Sequence, residues 1–114
     1  MSGLWMGIRV AVEDQGVLLM VLDTGSPVSA LSPTIAQRLY SRGLLRPASA
    51  PSYYSLSGLS AEDAVGQPGL PDLTVRALPR LGRLQIEGLL GLDFFRQFDR
   101  VCFQLSAMQL ELTY

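Results

Sequence analysis

The chain has 114 residues, of which 48% are hydrophobic and 17% are charged, so it can build one hydrophobic core but not two. We therefore expect a single ordered domain over residues 1–114. The formal net charge is −1 and the basic residues are dispersed, which argues against nucleic-acid binding. One cysteine and no histidine exclude an internal disulfide, a zinc site built on Cys and His, and Ser-His or Cys-His catalysis.

No segment of the sequence predicts a membrane span. The longest apolar run, residues 17–22, is far too short to cross a bilayer, and the N-terminus has no basic run before a long apolar stretch. We therefore expect a soluble chain without membrane contact. The lone cysteine fits a reducing compartment, so the expected location is the cytoplasm, unless the chain is a domain of a longer protein.

The first third of the chain predicts two strands, a turn and a helix. Alternating apolar residues predict a half-buried strand over residues 4–12, followed by a turn at 13–16. Residues 17–22 are apolar without alternation, which is typical of a strand that is covered on both faces. Ser32 and Pro33 fit the cap and the first position of a helix, which we predict over about residues 33–42.

The rest of the chain predicts mostly strands. A loop is expected at 44–51, and residues 52–56 and 61–65 are predicted to pair as a hairpin around 57–60. Further strands are predicted at 73–78, 84–86, 88–91, 101–105 and 108–114, with turns at 67–72 and 79–82 and a short helix at 92–98. The fold class is therefore all-β, a closed barrel with one or two short helices.

Asp23 is the residue most suited to chemistry, within Leu22-Asp23-Thr24-Gly25-Ser26. Asp and Gly are favoured in turns, so this motif alone predicts only a loop, and an unrelated small β-barrel with a turn here is one alternative. However, a carboxylate that directly follows a strand covered on both faces is partly desolvated, which favours a functional role.

Two motifs resemble the retropepsin-like aspartic peptidases. Residues 21–26 followed by Val28-Ser29-Ala30-Leu31 resemble the catalytic loop of that family and the strand after it. Further along, Leu89-Leu90-Gly91-Leu92-Asp93-Phe94-Phe95 resembles its second signature. Retroviral members often carry an acidic residue at the position of Pro27 and Arg at the position of Leu92. The resemblance is therefore to the cellular or bacterial branch of the family.

The resemblance implies an aspartic endopeptidase that acts on peptides or proteins as a homodimer without metal or organic cofactor. The chain has one Asp-Thr-Gly triplet, so Asp23 has to pair with its copy across a two-fold axis to share a proton and activate water. By the same resemblance, Thr24 hydrogen-bonds across that axis, and Gly25 lets the substrate backbone approach closely. A non-catalytic peptide-binding or dimerisation module of the same fold is the alternative.

Five further residues are candidates for contacting the substrate. Leu22, Val28 and Leu89 are expected to line apolar pockets, and Gly58 is expected at the mobile tip of a flap near residues 54–60. We expect the Ser26 hydroxyl to donate to the Asp23 carboxylate, which favours the charged form and predicts an acidic pH optimum.

Two remaining residues have ordinary structural interpretations. Asp93 is predicted to be a solvated acid in the first turn of a helix, and Cys102 to be a small buried thiol in a strand.

Overall fold

The computed structural model describes residues 6–104 and 109–113. Its first two strands, β1 (Gly7–Val12) and β2 (Gly16–Leu22), form an antiparallel hairpin with Gly7 opposite Val21 and Val12 opposite Gly16. The chain reverses through Asp14 and Gly16, whose φ angles of 58° and 88° suit a short polar residue and a glycine. The predicted turn at 13–16 is therefore confirmed.

The predicted helix is also confirmed. Strand β3 (Ser29–Leu31) leads into α1 (Pro33–Ser41), and the Ser32 hydroxyl oxygen caps the helix by accepting from the Ile35 N–H at 3.3 Å. Pro at the first helical position costs no hydrogen bond, because that N–H has no partner within a helix. Ile35, Ala36 and Leu39 form the buried face of α1.

The remaining strands and helices are short. They are β4 (Leu45–Pro47), β5 (Tyr54–Leu56), β6 (Leu59–Ala61), β7 (Gly69–Leu70), β8 (Leu73–Ala77), α2 (Pro79–Arg83), β9 (Gly88–Leu90), α3 (Leu92–Phe95), β10 (Arg100–Gln104) and β11 (Gln109–Thr113). The described residues thus contain three short helices instead of the expected one or two. None of those helices is long and apolar enough to cross a membrane.

Nine strands form one curled sheet in the order β4-β5-β8-β3-β9-β2-β1-β6-β7, and β10 pairs with β11 separately. The two outermost strands, β4 and β7, each pair with a single neighbour, so within the described residues the sheet is a half-barrel and the predicted closed barrel is wrong. Strand β9 lies between β2 and β3, parallel to β2 and antiparallel to β3. The chain between β2 and β3 therefore passes over the end of β9.

The predicted hairpin between residues 52–56 and 61–65 is wrong. Strand β5 pairs with β4 and β8, whereas β6 pairs with β1 and β7, so the two strands lie in distant parts of the sheet. The predicted loop at 44–51 contains β4, since Leu45 is buried in the core opposite Leu56. Burial against distant strands decides these pairings, and no local turn signal reveals it.

Residues 79–86 also differ from the prediction. The segment predicted as a turn forms α2, which begins at Pro79 and buries Leu81, and residues 84–86 follow it without forming a strand. Leu81 packs with Ala30 and Leu89 in a small second cluster, which Leu78 and Ile86 border. Helix α2 thus covers part of the sheet face opposite to the main core.

Strand β2 is covered on one face only. Leu18 and Met20 are buried in the main core, but Val17 and Leu19 are 47% and 53% exposed. The prediction of a strand covered on both faces is therefore wrong, because the outer face stays about half exposed at these positions. Cys102, which was predicted to be buried, is exposed on β10 opposite Glu111, since β10 and β11 form a ribbon with one polar face.

Candidate active site

The sheet holds Asp23 directly beyond the end of β2. The Asp23 N–H donates to the Leu90 carbonyl oxygen at 2.9 Å, which extends the β2–β9 ladder by one residue. The Ser26 N–H then donates to the Asp23 carbonyl oxygen at 3.2 Å and closes a tight turn. Thr24 and Gly25 lie at the exposed tip of that turn. The backbone of Asp23 is thus fixed by β9 on one side and by the turn on the other.

The Asp23 carboxylate has one oxygen held by the protein and one oxygen open. The Gly25 N–H donates to Oδ1 at 2.9 Å, as in a turn closed by an aspartate side chain. Oδ2 accepts no hydrogen bond from residues 6–104 or 109–113. A Cβ atom at position 25 would lie 3.1 Å from Oδ1, so a side chain there would crowd the carboxylate. The loop therefore orients the carboxylate and leaves one oxygen available for water.

The Ser26 hydroxyl does not contact the carboxylate as predicted. Its Oγ donates to the Val28 carbonyl oxygen at 2.8 Å. A serine hydroxyl has a single proton, so in this arrangement it cannot also donate to Asp23. The physical basis for the predicted acidic optimum is thus absent, and Ser26 instead stiffens the backbone between the loop and β3.

The glycine of the second motif touches the loop directly. A Cβ atom built on Gly91 would lie 2.6 Å from the Ser26 oxygen and 2.8 Å from the carbonyl carbon and oxygen of Val28. The Ser26 carbonyl oxygen also accepts from the Leu92 N–H at 2.7 Å. Only glycine fits such a close approach of two backbones, so Gly91 allows the start of α3 to hold the Asp23 loop.

A buried polar network that the sequence analysis missed joins the two motifs. Ser29 is fully buried; its Oγ donates to Asp93 Oδ1 at 2.7 Å and accepts from the Gly91 N–H at 3.0 Å. The Ser29 N–H donates to Asp93 Oδ2 at 3.2 Å, and the Phe94 N–H donates to Oδ1 at 2.8 Å. The prediction of Asp93 as a solvated acid is therefore wrong. A serine in the middle of an apolar strand was the available signal, because a buried hydroxyl needs a partner.

Of the predicted pocket residues, Leu22 lies on the wrong side of the strand. It packs against the main core, on the same face of β2 as Met20. Strand side chains alternate between faces, so Val21 lies on the face that Asp23 continues. Counting back two residues from Asp23 would have identified Val21 in place of Leu22. Leu89 is paired with Val21 and is buried against Leu81, so it lies under the face of β2 that carries Val21. Val28 is half-buried beside the Asp23 loop.

Gly58 lies far from Asp23. Its carbonyl oxygen accepts from the Glu13 N–H at 2.9 Å, in the turn that joins β1 to β2. That turn lies at the opposite end of β2 from Asp23, about 20 Å away at the rise of an extended strand. The prediction that Gly58 forms a flap tip over the carboxylate is therefore wrong in this conformation, because β6 pairs with the far end of β1.

The ion pair found among the described residues joins Arg9 and Asp63, and neither residue belongs to the Asp23 loop. Arg9 on β1 contacts Asp63 through Nη2 and Oδ1 at 2.7 Å, and its Nε and backbone N–H also donate to that carboxylate. The hydrogen bond from the Arg9 guanidinium lowers the pKa of Asp63. Nowhere in residues 6–104 and 109–113 do three or more His, Cys, Asp or Glu side chains form a group that could hold a metal ion.

Two solved structures resemble the fold of this chain. The retroviral protease-like domain of Ddi1 from Leishmania major aligns over 100% of this chain and 94% of its own, with a TM-score of 0.60 at 10% identity. A retropepsin-like aspartic protease from Rickettsia conorii aligns over 93% of this chain and 80% of its own, with a TM-score of 0.57 at 18% identity. The chain has the retropepsin-like fold.

Sequence comparison adds no further match to this retropepsin-like domain. No protein-family model matches the chain, and no curated protein matches it significantly. At 10% and 18% identity, the structural likeness concerns the fold alone. Any activity of this retropepsin-like domain therefore depends on the chemistry of Asp23 and of the loop that holds it.

Proposed function

We propose that this chain is one half of a homodimeric aspartic endopeptidase, in which Asp23 and Asp23 of a second copy together activate water. The observation that carries the proposal is the Asp23 carboxylate at the end of β2, with Oδ1 held by the Gly25 N–H at 2.9 Å and its backbone fixed by β9. The retropepsin-like fold supports the same conclusion.

The chemistry requires two carboxylates close together. Like charges at short range cannot both ionise readily, so the pair shares one proton. The ionised carboxylate accepts a proton from water as the water oxygen attacks the carbonyl carbon of the peptide, while the protonated one donates to the carbonyl oxygen. The tetrahedral intermediate then breaks its C–N bond as one carboxyl group protonates the leaving nitrogen. The other carboxylate takes the proton of one hydroxyl of the intermediate, which forms the product carbonyl and restores the singly protonated pair.

The sequence contains one Asp-Thr-Gly triplet, so the second carboxylate has to come from another chain. A two-fold axis near the loop tip would bring Thr24 and Gly25 of each copy close together, and both residues are exposed in the single chain. The rigid contacts of Gly91 and Ser29 then serve to hold each carboxylate at a fixed separation from the other.

The test is cleavage of a mixed peptide substrate across acidic and neutral pH by the wild type and by Asp23→Asn. We expect cleavage by the wild type, with a specific activity that rises with protein concentration, and no cleavage by Asp23→Asn. The matched control is Asp72→Asn, which makes the same chemical change at an exposed residue between β7 and β8 and should retain activity.

Mixing experiments test the shared site directly. An excess of Asp23→Asn protein added to wild type should lower its activity, because mixed dimers contain one carboxylate, whereas an excess of Asp72→Asn should not. Equal activity of wild type and Asp23→Asn would contradict the proposal. Peptide binding without cleavage by the wild type would instead favour the non-catalytic module.

A further inference from the structure

A groove lies along the outer face of β2, where Leu19 and Val21 line it. It has a volume of about 470 Å³, within the range of pockets that hold small ligands. Most of its lining is apolar, and Leu19 and Leu84 are more than half exposed. The lining residues are Gly7, Leu19, Val21, Leu84, Gln85, Ile86 and Glu87. Large aliphatic side chains that stay exposed around a concave surface are typical of a binding site.

The groove and the Asp23 carboxylate share one face of β2. Side chains along a strand alternate between faces, so Leu19, Val21 and Asp23 project to the same side of the sheet. The rise of a strand puts Val21 about 7 Å and Leu19 about 13 Å from Asp23 along the chain. An extended peptide with its scissile bond at Asp23 would therefore place a nearby side chain in the groove.

Glu87 is the one acidic residue in the lining of this groove, and its position is fixed. Its Oε1 accepts from the Leu19 N–H at 2.9 Å, and its carbonyl oxygen accepts from the Ser32 N–H at 2.9 Å. No cationic side chain within residues 6–104 and 109–113 forms an ion pair with Glu87; the ion pair found there joins Arg9 and Asp63. A carboxylate without a cation partner beside aliphatic side chains gives the groove a negative charge on an apolar wall.

We propose that this groove is a specificity pocket that takes a Lys or Arg side chain of the substrate. The aliphatic stem of such a side chain packs on Leu19, Val21 and Ile86, and its cationic head reaches the Glu87 carboxylate. The charge of Glu87 selects this occupant over a purely apolar side chain, and the strand face shared with Asp23 places it beside the scissile bond. The assignment rests on the proposed peptidase function and specifies its substrate class.

The test compares peptides that are identical except for Arg or citrulline, its neutral analogue of the same shape, at each position around the scissile bond. At the position that enters the groove, we expect wild-type kcat/KM to be about fivefold higher for Arg, as for a partly exposed charge pair. Glu87→Gln should bring this ratio close to one. The glutamine keeps an oxygen that accepts from the Leu19 N–H, so the fold is retained, which thermal unfolding checks.

The matched control is Glu13→Gln, which makes the same change at the far end of the same hairpin and should leave the Arg preference intact. A wild-type preference that survives in Glu87→Gln, or no Arg preference at any position, would overturn the proposal. A lower dimer affinity of Glu87→Gln with an unchanged Arg preference would also overturn it, because the groove would then be a contact between subunits.

A binding measurement separates this proposal from the catalytic one. The Asp23→Asn variant keeps the groove, so its affinity for the Arg peptide should exceed that for the citrulline peptide and should weaken with added salt. The double variant Asp23→Asn, Glu87→Gln should bind both peptides equally. If the wild type cleaves nothing, the peptidase proposal fails, and these affinities still decide whether the groove selects a cation.

Discussion

The tightest contact of the Asp23 loop predicts that Gly91→Ala will damage both stability and activity. The added Cβ would meet the Ser26 oxygen at 2.6 Å and the Val28 carbonyl carbon and oxygen at 2.8 Å, and all three are backbone atoms that cannot rotate away. Forcing one extra carbon into such a site costs about 1–3 kcal/mol. For a domain of this size, that lowers the melting temperature by about 4 °C per kcal/mol.

The three atoms that would have to move belong to Ser26 and Val28, in the loop that holds the proposed catalytic carboxylate. A shift of Ser26 and Val28 would displace Asp23 relative to its copy in the proposed dimer, so peptide cleavage should fall more steeply than the loss of folded protein explains. The assay is thermal unfolding and peptide cleavage of the same preparations at one protein concentration, because the proposed dimerisation would affect both. Cleavage is measured well below the melting temperature.

Gly82→Ala is the control for that experiment. Gly82 lies in α2, where the nearest atom to a new Cβ is Pro33 Cδ at 4.0 Å, and alanine favours a helix. We expect this variant to match the wild type or to melt slightly higher, with unchanged activity. An unaltered melting temperature and unaltered cleavage in Gly91→Ala would refute the argument that the second motif clamps the loop.

Three further predictions concern polar contacts. Ser29→Ala should lower the free energy of unfolding by about 1–3 kcal/mol in chemical denaturation, because it leaves the half-buried Asp93 carboxylate and the buried Gly91 N–H without their hydroxyl partner. A loss well below about 1 kcal/mol would show that Ser29 matters little. Ser26→Ala should leave the acidic limb of the pH–rate profile in place, because the hydroxyl donates to Val28, and a shifted limb would contradict this geometry. Asp63→Asn should lower the free energy of unfolding at neutral pH, and this difference from the wild type should shrink in acid. The hydrogen bond from Arg9 lowers the pKa of Asp63, so the stability that the ionised carboxylate contributes is lost as the pH falls through that lowered pKa. A difference in stability that does not depend on pH would contradict this prediction.

Local patterns correctly predicted the features that depend on neighbouring residues. The turn at Asp14 and Gly16, the cap that Ser32 provides for α1, and the tight turn after Asp23 each involve residues within about four positions of one another. The likeness of the two motifs also predicted the fold that the solved structures share with this chain. These outcomes follow from backbone preferences that the amino acids carry with them.

Those local patterns did not predict contacts between residues that are distant in the sequence. Ser29 and Asp93 lie 64 residues apart in the chain. A serine within an apolar strand indicates a buried hydroxyl that needs a partner, but nothing near it identifies Asp93 as that partner. The alternation rule could have identified Val21, but the exposure of Leu19 depends on which face of the sheet other elements cover. Position in the sheet also decided that Gly58 lies beside Glu13 and not beside Asp23.

The sequence by itself therefore determined where the chain turns, where α1 begins, and which carboxylate follows a core strand. The tertiary structure decided which strands pair, which face of β2 stays exposed, and how Gly91 and Asp93 hold the loop of Asp23. The physical reason is range: turn and cap energies arise within a few residues, whereas sheet pairing and burial depend on surfaces that meet only after the whole chain has folded.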